Sequence, residues 1–326
     1  MNYKILFYSF IATSILVLSF STLFQKTDSI AVEAGMESNE EIFTQLEKDE
    51  HTLHVYYFYL NHHEKSGSSM LVYSPDGYSM LIDAGIEESS SLLSDYLNKL
   101  GIEQVDIAVA THPHHDHIGG YLQLLDEGRI KEIYMPEIEH QTETYHDFME
   151  KIAKNDIPIN YLTASQTFTL GDSVQFKVLN PSAQMLDKLE GSYRVTDINN
   201  QSLVMRMEYK NHSFLFSGDI YDEQEKQLVA EYGSALKATV MEAPHHGDDT
   251  SSSIRYIQAV SPDYAVMNAN VLQSRYVLRR YEVLGVSALP TNVYGTVHIQ
   301  TDGDTLKIAT EFQSPSKIKM RNKGNG

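Results

Sequence analysis

The densest chemistry in the chain lies in the segment Thr111-His112-Pro113-His114-His115-Asp116-His117-Ile118-Gly119-Gly120. The chain has 14 histidines, and four of them fall between His112 and His117. Residues two apart on extended backbone project to the same side, which aims His112 and His114 at one point. Asp116 and His117 then open a helical turn and aim at a second point nearby. Imidazole with carboxylate is a ligand set for zinc or a similar divalent ion. Two ligand pairs on one tight loop suit two ions a few ångströms apart. The chain has no cysteine. That excludes disulfides, thiolate zinc sites, iron–sulfur ligation and cysteine nucleophiles, so a metal site here must use His, Asp and Glu.

Two later motifs can complete such a site. Asp219, in Ser217-Gly218-Asp219, follows an apolar strand, and one carboxylate has an oxygen for each of two ions. The alternative is a turn former or cap ahead of the helix that opens at Asp222. His245 and His246, in Pro244-His245-His246-Gly247, are either site residues or a capping or core pair. The roles then follow from charge. Metal one takes His112 and His114, metal two takes Asp116, His117 and one of the His245-His246 pair, and Asp219 can bridge. A water held between two divalent ions loses its proton near neutral pH and becomes a nucleophile, which Asp116 can orient. Asp83 suits buttressing a ligand histidine rather than binding metal. His115 either lines the cleft or faces solvent. His62 and His63 read as a polar loop pair. His51, His54, His140, His146, His212 and His298 are isolated in sequence and read as structural.

Elements that position these residues are readable from periodicity. Ser69–Ser74 and Tyr78–Asp83 flank Pro75-Asp76-Gly77 as a hairpin. Val105–Ala110 is an apolar strand leading straight into the histidine loop, and Ile118–Leu125 is helical. Ser89–Leu100 has helical spacing and stops at Gly101. Strands are predicted at Thr167–Leu170, Val174–Leu179, Ser202–Tyr209, Ser213–Phe216, Ala238–Glu242, Tyr264–Met267, Thr296–Gln300 and Thr305–Ala309. Helices are predicted at Thr144–Lys154, Asp222–Tyr232, Ser252–Val260 and Tyr276–Leu284. Tyr56-Tyr57-Phe58-Tyr59 reads as a first strand buried on both sides. Helices at intervals in both halves argue for an α/β layered sandwich, helices outside sheets.

The chain has 326 residues, with 25 Lys and Arg against 44 Asp and Glu, a formal net charge of −19. So acidic a chain has no global electrostatic reason to hold nucleic acid. Ile5 to Phe24 is an uncharged run behind Lys4. Its length matches a hydrocarbon core of ~30 Å, and the preceding positive charge predicts the N-in orientation. Residues 1–30 therefore read as a signal peptide or a membrane anchor, with the length of the run favouring the anchor. Residues 31–51 read as an acidic linker holding a short helix around Glu40–Glu47. Residues 52–312 form the folded domain, and 313–326 a flexible basic tail. That organisation places the domain on the extracellular side of the membrane, anchored or secreted.

His112-x-His114-x-Asp116-His117 with Gly119-Gly120 resembles the signature loop of the metallo-β-lactamase superfamily. Leu81-Ile82-Asp83-Ala84-Gly85, Ser217-Gly218-Asp219 and Pro244-His245-His246-Gly247 resemble its further motifs, in order. Asn199-Asn200-Gln201-Ser202-Leu203-Val204 resembles an "N-x-S-L-V" strand entry, which gives Asn200 a supporting place. The closest motif likeness is to the exported domain of DNA-uptake competence proteins and to Gram-positive surface phosphorylcholine esterases. This resemblance implies an αββα sandwich and a dinuclear hydrolase with two divalent ions, zinc or manganese. It implies that His246 binds the second metal and His245 acts as a catalytic residue on substrate phosphate or at the metal edge; a swap of these two roles remains open. No third histidine precedes the "G-D" strand, and no late histidine occurs in Asn268–Tyr276, so His245 and His246 must supply what it would. The expected function is an exported phosphoesterase or phosphodiesterase using a metal-bridging hydroxide. Its substrate would come from a wall polymer or nucleic acid, with membrane contact through the N-terminal helix and no protein partner. The alternatives are a non-enzymatic metal-binding surface module, or a nuclease, lactonase or β-lactamase-like hydrolase.

Overall fold

The computed structural model describes residues 40–49, 51–63, 67–188 and 194–312. Among them, fifteen strands form two sheets. One sheet holds β1 (Leu53–Tyr57), β2 (Ser69–Tyr73), β3 (Ser79–Ala84), β4 (Val105–Val109), β5 (Ile130–Met135) and β6 (Ile159–Tyr161). The other holds β7 (Thr167–Leu170), β8 (Val174–Asn180), β9 (Val204–Tyr209), β10 (His212–Phe216), β11 (Val240–Glu242), β12 (Tyr264–Met267) and β13 (Ser287–Pro290). The chain then returns to the first sheet with β14 (Val297–Thr301) and β15 (Leu306–Thr310), giving the order β15-β14-β1-β2-β3-β4-β5-β6. The second sheet runs β13-β12-β11-β10-β9-β8-β7.

Each sheet joins antiparallel hairpins to a parallel half. In the first sheet β3, β4, β5 and β6 are parallel, and in the second β10, β11, β12 and β13. Parallel neighbours need crossovers, and helices supply them. The first sheet uses α1 (Ser90–Lys99), α2 (His115–Ile118), α3 (Tyr121–Asp126) and α4 (Glu143–Lys154). In the second, the short α5 (Ala183–Lys188) and α6 (Val195–Asn199) precede β9. Then α7 (Asp222–Tyr232), α8 (Ile254–Val260) and α9 (Arg275–Val283) carry the crossovers, and α10 (Thr291–Tyr294) leads back to the first sheet.

Alternation along the strands sorts the apolar side chains into three layers. Leu81 and Ala108 face out to Leu93, Leu97 and Phe148 of the first helix layer. Their neighbours Ile82 and Val109 face in, toward Phe176, Met207 and Phe214 of the other sheet. Leu215 and Met241 face out again, to Leu228, Tyr256 and Tyr281 of the second helix layer. Three apolar layers separate four structural ones, which is the expected αββα sandwich. Tyr56 and Tyr57 are buried at the end of β1, which is central in the first sheet between β14 and β2, and Phe58 just beyond it is buried as well.

Part of the segment expected as linker, with its short helix, lies among the described residues. Glu40–Phe43 forms a 3-10 helix whose Ile42 and Phe43 are buried. Phe43 stacks on Tyr96 at 4.5 Å, and Ile42 carbonyl accepts from Tyr56 Oη. The apolar pair docks on α1 despite the acidic residues around it. Strands β6 and β13, both short, escape sequence periodicity. The expected N-terminal helix and the basic tail lie outside the described residues. No helix of the described residues is long and apolar enough to cross a membrane.

Candidate metal centre

Five loops meet at the carboxyl ends of the parallel strands, where the backbone turns out of the sheets and side chains are free to converge. β3 delivers Asp83, β4 delivers Thr111 to His117, β10 delivers Asp219, β11 delivers His245 and His246, and β12 delivers Asn268. The backbone there is unusual. Asp83, His245 and His246 have φ of 56°, 52° and 55°, each in the left-handed region. For non-glycine residues such conformations cost on the order of 1–3 kcal/mol each and are held by their surroundings. Gly120 serves close approach: a Cβ there would sit 2.1 Å from the carbonyl oxygen of Ala84. This brings the start of the helix against the end of β3, next to Asp83.

The imidazoles are held from behind. His117 Nδ1 donates to Asp83 Oδ2 at 2.7 Å. Thr111 Oγ1 donates to the same carboxylate at 2.8 Å and lies 3.1 Å from His112 Nδ1, from which it accepts. His246 Nδ1 donates to the Asn268 carbonyl at 3.0 Å. His245 Nδ1 is 2.6 Å from Thr250 Oγ1. With Nδ1 engaged, Nε2 of each ring turns inward. Asp219 Oδ2 lies 3.2 Å from Nε2 of His117, 3.4 Å from His246, 3.7 Å from His245 and 3.8 Å from His112. Asp116 Oδ2 is 3.5 Å from His246 Nε2. Nε2 of His112, His117 and His246 is buried with no hydrogen-bond partner. Buried nitrogens without partners, converging on carboxylates, are what a divalent cation would satisfy. Asp116, His117, Asp219 and His246 each offer an atom within 4.8 Å of the others'.

The charges are strongly perturbed. Burial works against ionisation of Asp219, yet His117, His246 and His245 around it hold its carboxyl well below the usual range. Burial also opposes a charge on His246, but the nearby carboxylates of Asp219 and Asp116 raise it to about 10. His117 is likewise raised, Asp219 and Asp83 outweighing burial. Burial lowers His112 and His114, the latter to about 4, so both stay neutral with lone pairs available. Protons on His117 and His246 thus occupy the place that a cation would take.

The structure brings His112, Asp116, His117, Asp219, His245 and His246 together. The His114 ring stands edge-on to His112, with centroids 4.7 Å apart. Asp83 lies behind His117. All four inward nitrogens approach one oxygen of Asp219, whereas the sequence suggested one oxygen per ion. The side chain of His115 is 68% exposed and faces solvent. Asn200 acts at one remove: its Oδ1 accepts from Tyr221 N, and the Tyr221 ring stacks on His245 at 4.9 Å. Three histidines read as isolated are not. The His140 ring stands edge-on to His114 at 5.4 Å, and His54 Nδ1 lies 3.0 Å from His298 Nε2. Separations of that kind across strands and loops leave no local trace in sequence.

Glu242 is the main residue sequence reasoning missed. It is buried at the end of β11, accepts from Ser217 N and Gly218 N through Oε2, and from Ser68 Oγ through Oε1. It thereby braces the turn that presents Asp219. Burial, with the charge of Asp83 added, pushes it up to about 7. Ser202 Oγ accepts from Asp219 N at 3.1 Å and fixes the same turn from the other side. A carboxylate in an apolar strand, VME, was the only available signal.

Two stacked sheets with a His and Asp constellation at their carboxyl edge define a class of metal-dependent hydrolase. The family model described as the metallo-β-lactamase superfamily matches residues 64–267, and the chain belongs to that superfamily. ComE operon protein 3 of Bacillus subtilis (strain 168) is 26% identical over 212 residues, 63% of this chain and 26% of that protein. Competence protein ComA of Neisseria gonorrhoeae is 28% identical over 239 residues, 71% of this chain and 30% of that protein. The chain thus spans less than a third of the length of either relative. Among solved structures, the metallo-β-lactamase fold protein YhfI from Bacillus subtilis superposes with a TM-score of 0.51 at 15% identity. The match covers 76% of this chain and 99% of that one, and it shows the shared fold.

Proposed function

We propose that the protein is an exported phosphodiesterase that works with two divalent ions, zinc or manganese. The observation that carries this reading is the set of inward Nε2 atoms of His112, His117, His245 and His246 around Asp219 Oδ2. If two ions bind, His112 and His114 would hold one, Asp116, His117 and His246 the other, and Asp219 would serve both. Divalent ions supply Lewis acidity there and bring the pKa of a water near neutrality. The chain's own groups position the rest. Asp116 accepts the proton of the attacking water, and His245 stands at the metal edge with its Nε2 turned inward. The new bond joins water oxygen to phosphorus, and the phosphorus bond to the leaving oxygen breaks with its electron pair. That oxygen leaves as the alcohol after taking up the proton that Asp116 returns through solvent.

A phosphodiester fits a cationic, ion-loaded centre, and the likeness to two competence proteins favours a nucleic-acid fragment or wall polymer over a β-lactam. The net charge of −19 argues against tracking along long nucleic acid. The test is turnover of bis-p-nitrophenyl phosphate by the full chain. Hydrolysis that chelator abolishes and zinc or manganese restores is expected; none by metal-loaded protein would overturn the reading. Export rests on the uncharged run Ile5 to Phe24 behind Lys4. Protease added to intact cells should digest the domain or find it already released. Full protection until lysis would place the domain inside the cell.

A further inference from the structure

We propose that Thr250 and Asp248 are positioning residues that decide which nitrogen of His245 faces the reaction site. Thr250 Oγ1 lies 2.9 Å from Asp248 Oδ1 and 2.6 Å from His245 Nδ1. A hydroxyl has one proton, and a carboxylate only accepts, so that proton belongs to Asp248. Thr250 can then only accept from His245, which must carry its proton on Nδ1. A further neighbour of the hydroxyl leads to the same result. Ser251 Oγ is 3.4 Å from Thr250 Oγ1, but it donates its own proton to the Ile220 carbonyl at 2.7 Å. Toward Thr250 it too is only an acceptor. Either way Nε2 of neutral His245 keeps its lone pair, 3.7 Å from Asp219 Oδ2.

The arrangement is held on every side. Thr250 N donates to the same Asp248 oxygen at 2.9 Å, Asp222 N donates to the Thr250 carbonyl at 2.9 Å, and Tyr221 covers one face of the ring. The same device stands across the cleft. Thr111 gives its proton to Asp83 and accepts from His112 Nδ1. A carboxylate, a threonine and a histidine are thus aligned twice, once after β4 and once after β11. His245 therefore enters the chemistry as a lone-pair donor, fit to bind a metal or take a proton.

The tautomer is read by histidine nitrogen NMR on the isotope-labelled full chain at mildly alkaline pH, first with chelator and then with zinc. His245 should show Nδ1–H in both states, with the Nε2 signal moving on zinc addition. Thr250→Val should lose the single Nδ1–H form and weaken zinc binding about 10–100-fold, while Thr250→Ser should restore both. Should Thr250→Val not fold, Asp248→Ala, which frees the hydroxyl proton, gives the same mixed tautomers. An Nε2–H tautomer in the wild-type protein, or variants that leave the tautomer unchanged, would overturn the proposal. The zinc readout rests on the metal-centre reading and the tautomer readout does not, so absence of zinc binding with Nδ1–H intact would sink that reading alone.

Discussion

Asp219 concentrates the site at the residue scale, since its Oδ2 faces four imidazole nitrogens. Asp219→Ala removes the one carboxylate oxygen that all four face and leaves Asp116 beside only His117 and His246. We expect the variant to fold, to lose bound metal on elemental analysis, and to lose on the order of 10³-fold in phosphodiester turnover, about 4 kcal/mol. Asp83 acts one layer back. Asp83→Asn puts an amide where His117 Nδ1, Thr111 N and Thr111 Oγ1 all donate. Zinc affinity should fall about 10–100-fold, measured by competition with a chelating dye. Unchanged affinity would show that the ring orientation of His117 is set elsewhere.

At the scale of elements, Glu242 ties the end of β11 to the turn after β10 and to Ser68 beside β2. Its carboxyl is raised from 4.5 to about 7. A raised carboxyl contributes stability that is full below the unfolded value and lost as pH rises through the folded one. The shift corresponds to about 3 kcal/mol. Glu242→Gln keeps an oxygen for the Ser217 and Gly218 N–H groups and removes the charge. The metal-free variant should therefore be more stable than wild type above neutral pH, with the difference vanishing near pH 4.5. Denaturant titrations across that range check it. Glu242→Ala instead strands two buried N–H groups and should destabilise at every pH, by about 1–3 kcal/mol for each.

For the whole molecule, metal and protons compete for one centre. In the metal-free protein His246, raised from 6.5 to about 10, and His117 contribute stability that is present below 6.5 and lost as pH rises through the folded values. Asp116 and Asp219, both held low, contribute stability lost only when pH falls below 3.8. The metal-free protein should accordingly weaken from neutral pH upward. Zinc affinity should rise over the same window, because binding releases the protons of His117 and His246. Calorimetry in buffers of different ionisation heat counts those protons, and zero release would contradict the assignment. At a thousandfold excess of free metal over its Kd, binding adds about 4 kcal/mol to stability. Chelator should lower Tm visibly.

The sequence by itself determined the histidine loop, the Asp219 turn, the His245-His246 pair and the layered order of strands and helices. These signals are local: ligand spacing over a few residues, and apolar periods of two and of 3.6. It also determined that metal ligands here are nitrogen and oxygen, since there is no sulfur donor from cysteine. Tertiary structure decided the rest. Glu242, Asn268 and Thr250 earned no notice as site residues in the sequence, and Ser202 only as part of a strand-entry motif, because each acts by holding a residue from another strand end or loop. His140 meets His114 only because the loop after β5 folds over the site. Which nitrogen of each imidazole faces inward depends on the acceptor behind it. Those acceptors are Asp83 for His117, Asn268 for His246 and Thr250 for His245, and chain folding alone puts the first two in reach.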